Sequence, residues 1–329
     1  MYEANKERYG DFSYNRAGRS GLCLPPISLG FWHNFGTEDD YANCRKMVLT
    51  AFDSGITHFD LANNYGPPEG SAEEVFGRIL REDLGRYRDE LVISTKAGHL
   101  MWPGPYGDGG SRKYLLSSLD ASLKRLGLDY VDIFYTHRRD TETPIEETLR
   151  AVSDAVKSGR ALYTSISKYN PDDTITACDF LEDAGTPMLL HQVRYSMLER
   201  TPETGGLWDA LRSRSKAAII FSPLAQGLLT SKYLSGIPAG SRASKEGTFL
   251  KAEQITDKLL GTISQLNALA AERGQSLAQF ALQWALRDDC VCSAIIGASR
   301  PEQITDCLKA VSAPAITNEE LEKVEAILA

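Results

Sequence analysis

The feature that most constrains this chain is an alternation that runs almost from end to end. Short apolar stretches of strand character are followed by longer stretches whose apolar residues recur every three or four positions. The strand-like segments are Ile27-Ser28-Leu29-Gly30-Phe31-Trp32, Thr57-His58-Phe59-Asp60-Leu61, Leu91 to Lys96, Tyr130 to His137, Ala161 to Ser167, Leu189 to Arg194, Ala217 to Ser222 and Ser293 to Gly297. Between the first two, Cys44, Met47, Val48, Ala51 and Phe52 fall at i, i+3, i+4, i+7 and i+8, one face of a helix. Strict alternation of strand and helix implies a parallel sheet. Eight such units predict a closed (β/α)8 TIM barrel; an open doubly wound sheet is the rival. No strand is followed by G-x-G-x-x-G, which weighs against the rival's dinucleotide site. No linker divides the chain, so residues 1–329 are expected to form a single domain.

Local signals fill in the frame. Residues 1–11 are polar and expected to be a loose arm, and residues 12–24 a hairpin turning through Ala17-Gly18-Arg19-Ser20-Gly21. Ser71 is expected to cap a helix reaching about Leu84, and Ser111 one that stops at Gly127. Pro144 is expected in the first turn of a helix with Glu146 and Glu147 at its positive end. Further helices are expected near 172–184, 254–273, 277–287, 301–312 and 318–328. Residues 223–251 form a long Gly/Pro/Ser-rich loop, a length that usually marks a functional cover.

Composition excludes several functions. The net charge of -8 lacks the basic excess of a nucleic-acid binder, though it leaves room for a local basic pocket. The six cysteines include no C-x-x-C pair, and they read as reduced thiols. Cys290-Val291-Cys292 alternates like a strand, so packing is expected there rather than a metal. No signal peptide is visible, and no apolar run nears the ~20 residues that cross a bilayer. A soluble cytoplasmic protein without membrane insertion is expected.

Chemistry in such barrels collects at the C-terminal ends of the strands. There the second strand ends in Asp60 with Tyr65 just beyond, the third in Lys96 and the fourth in His137. Each alone has a plain structural reading, as a satisfied core acid, a turn aromatic, a barrel-mouth cation and a hydrogen-bonded core imidazole. Together, at one end of adjacent strands, they suggest a site. A tyrosine is a poor acid at neutral pH, but a buried ammonium beside it favours the phenolate. Asp60 would balance Lys96, and His137 would hydrogen-bond a substrate oxygen. That set suits protonating an oxygen while hydride attacks the carbon.

At this point the residues resemble the aldo-keto reductase superfamily. The resemblance rests on Gly55-Ile56-Thr57-His58-Phe59-Asp60-Leu61-Ala62-Asn63-Asn64-Tyr65-Gly66, on Ile93-Ser94-Thr95-Lys96, and on Tyr130 to Arg138. Trp32-His33-Asn34-Phe35-Gly36, Met101-Trp102-Pro103-Gly104-Pro105-Tyr106-Gly107 and Gly236-Ile237-Pro238 are similar to the branch holding bacterial L-glyceraldehyde 3-phosphate reductases and voltage-gated potassium channel β-subunits. The resemblance implies an NADPH-dependent reductase of small aldehydes such as L-glyceraldehyde 3-phosphate or methylglyoxal. Tyr65 would be the proton donor, Lys96 would lower its pKa with Asp60 paired to it, and His137 would orient the carbonyl. Trp32 and Trp102 would shape the substrate pocket, Trp32 also lying by the cofactor. Ser167 and Gln192 would hold the nicotinamide carboxamide, and Phe221 would stack on its ring. Ser222, Pro223, Leu224, Ala225 and Gly227 would run under the pyrophosphate. Lys232 and Arg242 would meet phosphates, and Gly297, Ser299, Arg300, Gln303 and Asp306 would grip the adenosine end. Independently, the turn Gly297-Ala298-Ser299-Arg300-Pro301 opens a helix, whose free N–H groups and dipole favour an anion. A basic pocket there favours NADP over NAD. Assembly into tetramers or octamers is also implied.

Three positions depart from the family pattern. Ser165 stands where the branch has Gly, and is expected to crowd the barrel mouth. Lys168 stands where many members have Asn, and is expected to trade a carboxamide bond for a phosphate or substrate contact. Cys307 replaces an adenine-contacting Asn. Two rival readings share the same residues. One is a nucleotide-sensing interaction protein like the channel subunits, with slow chemistry. The other is a lyase forming a Schiff base on Lys96.

Overall fold

The computed structural model describes residues 2–10, 13–238, 242–244 and 250–329; the side chain of Arg242 also lies outside the described part. Eight parallel strands close into a barrel: β1 (Ile27–Gly30), β2 (His58–Asp60), β3 (Val92–Ala97), β4 (Val131–Thr136), β5 (Ala161–Ser167), β6 (Met188–Arg194), β7 (Ala217–Phe221) and β8 (Val291–Ile296). Strands neighbour in chain order and β8 pairs with β1, which closes the ring. The expected barrel is therefore the fold, and the open sheet is not.

Strand parity divides each strand's residues between two environments. On β2, His58 and Asp60 face the barrel interior, where they bond to Ser28 and Ser94. Phe59 faces out and packs with Phe31 and Phe76, ring centroids 6.2 and 5.1 Å away. That outer layer joins the barrel to its helices in one continuous apolar core. A smaller cluster fills the lower interior, with Val92, Ile133, Leu189 and Ile219 against Ala17 and Leu24 of the N-terminal hairpin.

The hairpin pairs Asn15–Arg16 with Cys23–Leu24 and stoppers the N-terminal end of the barrel. Gly18 is required in its turn: its φ is +58°, and a Cβ would sit 2.7 Å from the Ser215 carbonyl oxygen. Phe12, the expected start of the hairpin, lies outside the described residues. The expected loose arm is a correction. Tyr2 Oη donates to Asp53 at 2.6 Å, and Arg8 lies over the Phe52 and Tyr87 rings while pairing with Glu90. Aromatic stems and an arginine, scored only as polar in the sequence, tie residues 2–10 down.

The helices follow their capping chemistry. α1 (Tyr41–Asp53) is capped by Asp40. α2 (Ser71–Ile79) is not capped by Ser71; left-handed Gly70 occupies the cap and Ser71 is the first helical residue. The helix does run on to Leu84, in a wider π turn. α3 (Arg112–Leu126) is capped by Ser111 and stops at left-handed Gly127. α4 (Ile145–Lys157) has Pro144 as its cap residue rather than in its first turn. α5 (Pro171–Asp183) follows with Asn170 as cap. The sequence reading placed no helix after β6, yet α6 (Thr201–Thr204) and α7 (Leu207–Ser213) stand there, with Leu207, Trp208 and Leu211 buried. α8 (Asp257–Glu272), α9 (Leu277–Ala285), α10 (Pro301–Ser312) and α11 (Asn318–Leu328) agree with the expected spans within three residues. The long 223–251 loop contains short 3-10 turns at Ala225–Gly227 and Ser231–Tyr233; part of it, residues 239–241 and 245–249, lies outside the described residues.

Candidate active site

The upper interior of the barrel carries a fully buried ion pair. Lys96 Nζ on β3 donates to Asp60 Oδ2 on β2 at 2.7 Å and to the Leu61 carbonyl, and neither side chain reaches solvent appreciably. Taking two charges out of water costs several kcal/mol each, which only good geometry and further hydrogen bonds offset. The other Asp60 oxygen accepts both from Ser94 Oγ at 2.8 Å and from Gln192 Nε2 at 2.9 Å. Asp60 is thus held from β2, β3 and β6 at once. Burial pushes Lys96 below the usual lysine range, and Asp60 is the main influence opposing it.

Tyr65 lies over this pair, with Lys96 Nζ 5.0 Å from its ring centroid. Its hydroxyl has no hydrogen-bond partner among the described residues. Burial, with Asp60 adding to it, pushes that hydroxyl well above the usual tyrosine value. Lys96 Nζ donates to Asp60 and Leu61 rather than to this hydroxyl, so in this arrangement burial outweighs the lowering expected from the ammonium. His137, just past β4, meets the Tyr65 ring edge-on at 5.7 Å. Burial, then the cations Lys96 and Lys168, hold its imidazole neutral, well below the usual histidine value. Its Nδ1 is buried without a partner. All four expected site residues thus converge.

His99, which the sequence reading did not single out, packs on His137 with centroids 4.4 Å apart. Its Nε2 lies 3.1 Å from Lys168 Nζ, and Lys168 has φ +60°. Lys168 sits 5.6 Å from the Phe221 ring centroid, and its pKa is lowered to about 8 by burial and by Lys96. The backbone of Lys168 still places its side chain at the mouth. Trp32 is half-buried against His33, with centroids 4.3 Å apart. Trp102 is 46% exposed, edge-on to Tyr114.

The residues expected at the cofactor fit a nicotinamide nucleotide in several respects. Ser167 Oγ, at the end of β5, is buried with no partner. Gln192 spends its amide N–H on Asp60, which leaves its carbonyl oxygen for a ligand. Phe221 ends β7 half-buried. Beyond it Ser222, Ala225 and Gln226 all have positive φ, as non-glycine residues seldom do outside functional loops, with Pro223, Leu224 and Gly227 among them. α10 begins with no side-chain cap, after Gly297 and Ala298, and Arg300 at its cap position has no ion-pair partner among the described residues. Gln303 accepts the Ser299 N–H at 2.8 Å and shapes that turn. Lys232 lies 5.8 Å from the Tyr233 ring centroid. Asp306 is committed instead to α9, accepting from Gln279 Nε2 at 2.7 Å.

The departures resolve physically. Ser165 does not crowd the mouth. It is fully buried, and its Oγ accepts the Leu190 N–H at 3.2 Å where the β5–β6 register shifts, mending a gap in the ladder. Cys307 is buried in the core, and burial raises its thiol to about 12. All six cysteines are free thiols, and among the described residues no cluster suits a metal. No described helix is long and apolar enough to cross a membrane.

A closed parallel barrel with a lysine–aspartate pair, a tyrosine and a histidine at its C-terminal mouth defines a barrel oxidoreductase. The chain belongs to the aldo/keto reductase family, whose model matches residues 26–329. It is 53% identical over 328 residues to L-glyceraldehyde 3-phosphate reductase of Escherichia coli K12, covering 99% of this chain and 95% of that one. A probable voltage-gated potassium channel subunit beta of Arabidopsis thaliana is 36% identical, covering 96% of each chain. Among solved structures, the holo form of an aldo-keto reductase from Bacillus halodurans superposes with TM-score 0.75 at 25% identity over 96% of both chains.

Proposed function

We propose that this chain is an NADPH-dependent reductase of small aldehydes and ketones, of the size and kind of L-glyceraldehyde 3-phosphate or methylglyoxal. The observation that carries the reading is the buried Lys96–Asp60 pair beneath Tyr65, with His137 beside the same ring. The 53% identity to an L-glyceraldehyde 3-phosphate reductase supports the substrate class.

A bound nicotinamide supplies the hydride; the chain handles the oxygen. Neutral His137 donates a hydrogen bond to the carbonyl oxygen and orients it. Tyr65, protonated in its buried setting, gives up its proton as negative charge develops on that oxygen, because an alkoxide is a far stronger base than a phenolate. The Lys96 ammonium stabilises the phenolate left behind. Asp60 is neither acid nor base but keeps Lys96 charged and in place. Arg300 and the α10 N-terminus suit the extra phosphate of NADPH, and Lys168 suits an anionic substrate group. The free thiols suit the reducing cytoplasm. Protein mixed with NADPH and either aldehyde should consume reduced cofactor. Tyr65→Phe should lower kcat by ~10²–10⁴, the range for a lost general acid. Undiminished turnover in Tyr65→Phe rejects the assignment.

A further inference from the structure

Inside the barrel, a row of polar side chains crosses four strands and ends on Asp60. Ser293 Oγ on β8 is 2.7 Å from Ser28 Oγ on β1. Ser28 Oγ is 2.8 Å from His58 Nδ1 on β2, and His58 Nε2 is 3.0 Å from Ser94 Oγ on β3. Ser94 Oγ is 2.8 Å from Asp60 Oδ1. Ser28, His58, Ser94 and Ser293 are all 0% exposed. Four polar groups at inward positions of a barrel core are costly unless each is satisfied.

Their proton directions follow from counting. An ionised carboxylate only accepts, so Ser94 spends its one hydroxyl proton on Asp60. Ser94 then accepts from His58, which puts the imidazole proton on Nε2. Burial holds His58 neutral, with a pKa near 4, so it has only that one proton. Its Nδ1 must accept from Ser28, and Ser28 in turn accepts from Ser293. Every donor points the same way, toward Asp60. Chains aligned like this polarise one another, by ~10–30% per bond.

We infer that His58 is a positioning residue, locked as its Nε2–H tautomer by Ser28, that acts through Ser94 to hold the Asp60 carboxylate on Lys96. The charged and titratable groups facing this carboxylate are Lys96 on β3, His58 on its own strand, Tyr65 beyond it and Tyr135 on β4. Its kinetic consequence rests on the reductase reading; its proton arrangement does not.

The test has two arms. In cofactor-free protein, nitrogen-15 NMR of the five histidines, with His58 assigned by substitution, should show His58 protonated on Nε2 alone. Ser28→Ala should shift its Nδ1 resonance, and Asp60→Ala, which removes the acceptor that orders the row, should populate the Nδ1–H form. In turnover assays, His58→Leu should lower kcat about 10-fold with KM unchanged, the upper end of the effect of one lost neutral hydrogen bond. His58→Gln, which keeps an N–H near the same place, should recover most of it. Nδ1–H or mixed tautomers in the wild type overturn the inference, as does an Nδ1 resonance indifferent to Ser28→Ala. If the reductase reading alone fails, turnover is absent throughout while the NMR pattern persists. If His58 only fills space, Leu and Gln variants match in kcat.

Discussion

Replacing Asp60 by Asn removes one charge from the most deeply buried ion pair among the described residues and nothing else of comparable size. The asparagine must present an amide group to at least one of three donors, Lys96 Nζ at 2.7 Å, Ser94 Oγ at 2.8 Å and Gln192 Nε2 at 2.9 Å. Breaking a buried pair from one side typically costs ~3–5 kcal/mol, since the other charge stays behind unpaired. At about 2–4 °C per kcal/mol for a chain of this order, the melting temperature should fall by roughly 6–20 °C. A second signature separates this from generic damage. Burial already pushes Lys96 down, and Asp60 is what opposes it, so in the variant the ammonium sheds its proton at lower pH. In the unfolded chain that lysine keeps its proton up to about 10.4. Between those two values the unfolded state binds more protons, so stability rises with pH, by up to about 1.4 kcal/mol per unit. Melts followed by circular dichroism from pH 6 to 9 should therefore be steeper in Asp60→Asn than in the wild type, with the deficit shrinking as pH rises. A deficit under about 2 °C that is flat in pH would refute the view that Asp60 keeps a buried ammonium charged.

Three further outcomes can be checked. Arg300→Ala should weaken NADPH by ~10–100-fold and NADH little, the loss of one or two charge-assisted bonds; equal losses, read by fluorescence titration, would remove Arg300 from the phosphate site. Burial depresses His58 to about 4 and His191 to about 3, with His137 also far below the usual value. The unfolded chain takes up those protons near 6.5, so stability should be lost as pH falls from 6.5 toward 4, at up to ~1.4 kcal/mol per unit for each histidine; a melting temperature unchanged between pH 7 and 5 argues against three neutral buried imidazoles. Ser165→Ala leaves the Leu190 N–H unpaired in the β5–β6 irregularity, and should cost ~1–3 kcal/mol in denaturant melts; no loss would mean that the serine is only filling space.

The barrel was legible because eight strands and their helices announce themselves by two different periods. The group of four was legible because Asp60, Lys96 and His137 each stand at or next to the end of a strand, which a reader of strand ends can see. What escaped did so for identifiable reasons. α7 is only seven residues, too short for its Leu207, Trp208 and Leu211 to establish a period. The anchoring of residues 2–10 depends on Asp53, Tyr87 and Glu90, far along the chain. Positive φ at Lys168, Ser222, Ala225 and Gln226 leaves no mark in residue type, since none is glycine. The Ser28–His58–Ser94 row did leave a signal, polar residues at inward positions of otherwise apolar strands. It becomes an argument only once the register sets those strands side by side.

The order of the strands around the ring has an evolutionary side. Tyr65, Lys96, Asp60 and His137 come from β2 to β4 and the turns after them, one contiguous arc. The residues assigned to the nucleotide come almost entirely from β5 to β8, the complementary arc. On the proposed reading, proton supply and hydride supply are written into separate halves of the gene, each spanning neighbouring strands. Recombination near the middle of the chain would exchange one half without severing the Lys96–Asp60 pair. Gln192, reaching across from β6 to Asp60 at 2.9 Å, ties the two halves at the ion pair, as Lys168 does against His99 at the mouth, and these contacts are where a chimera would first need repair.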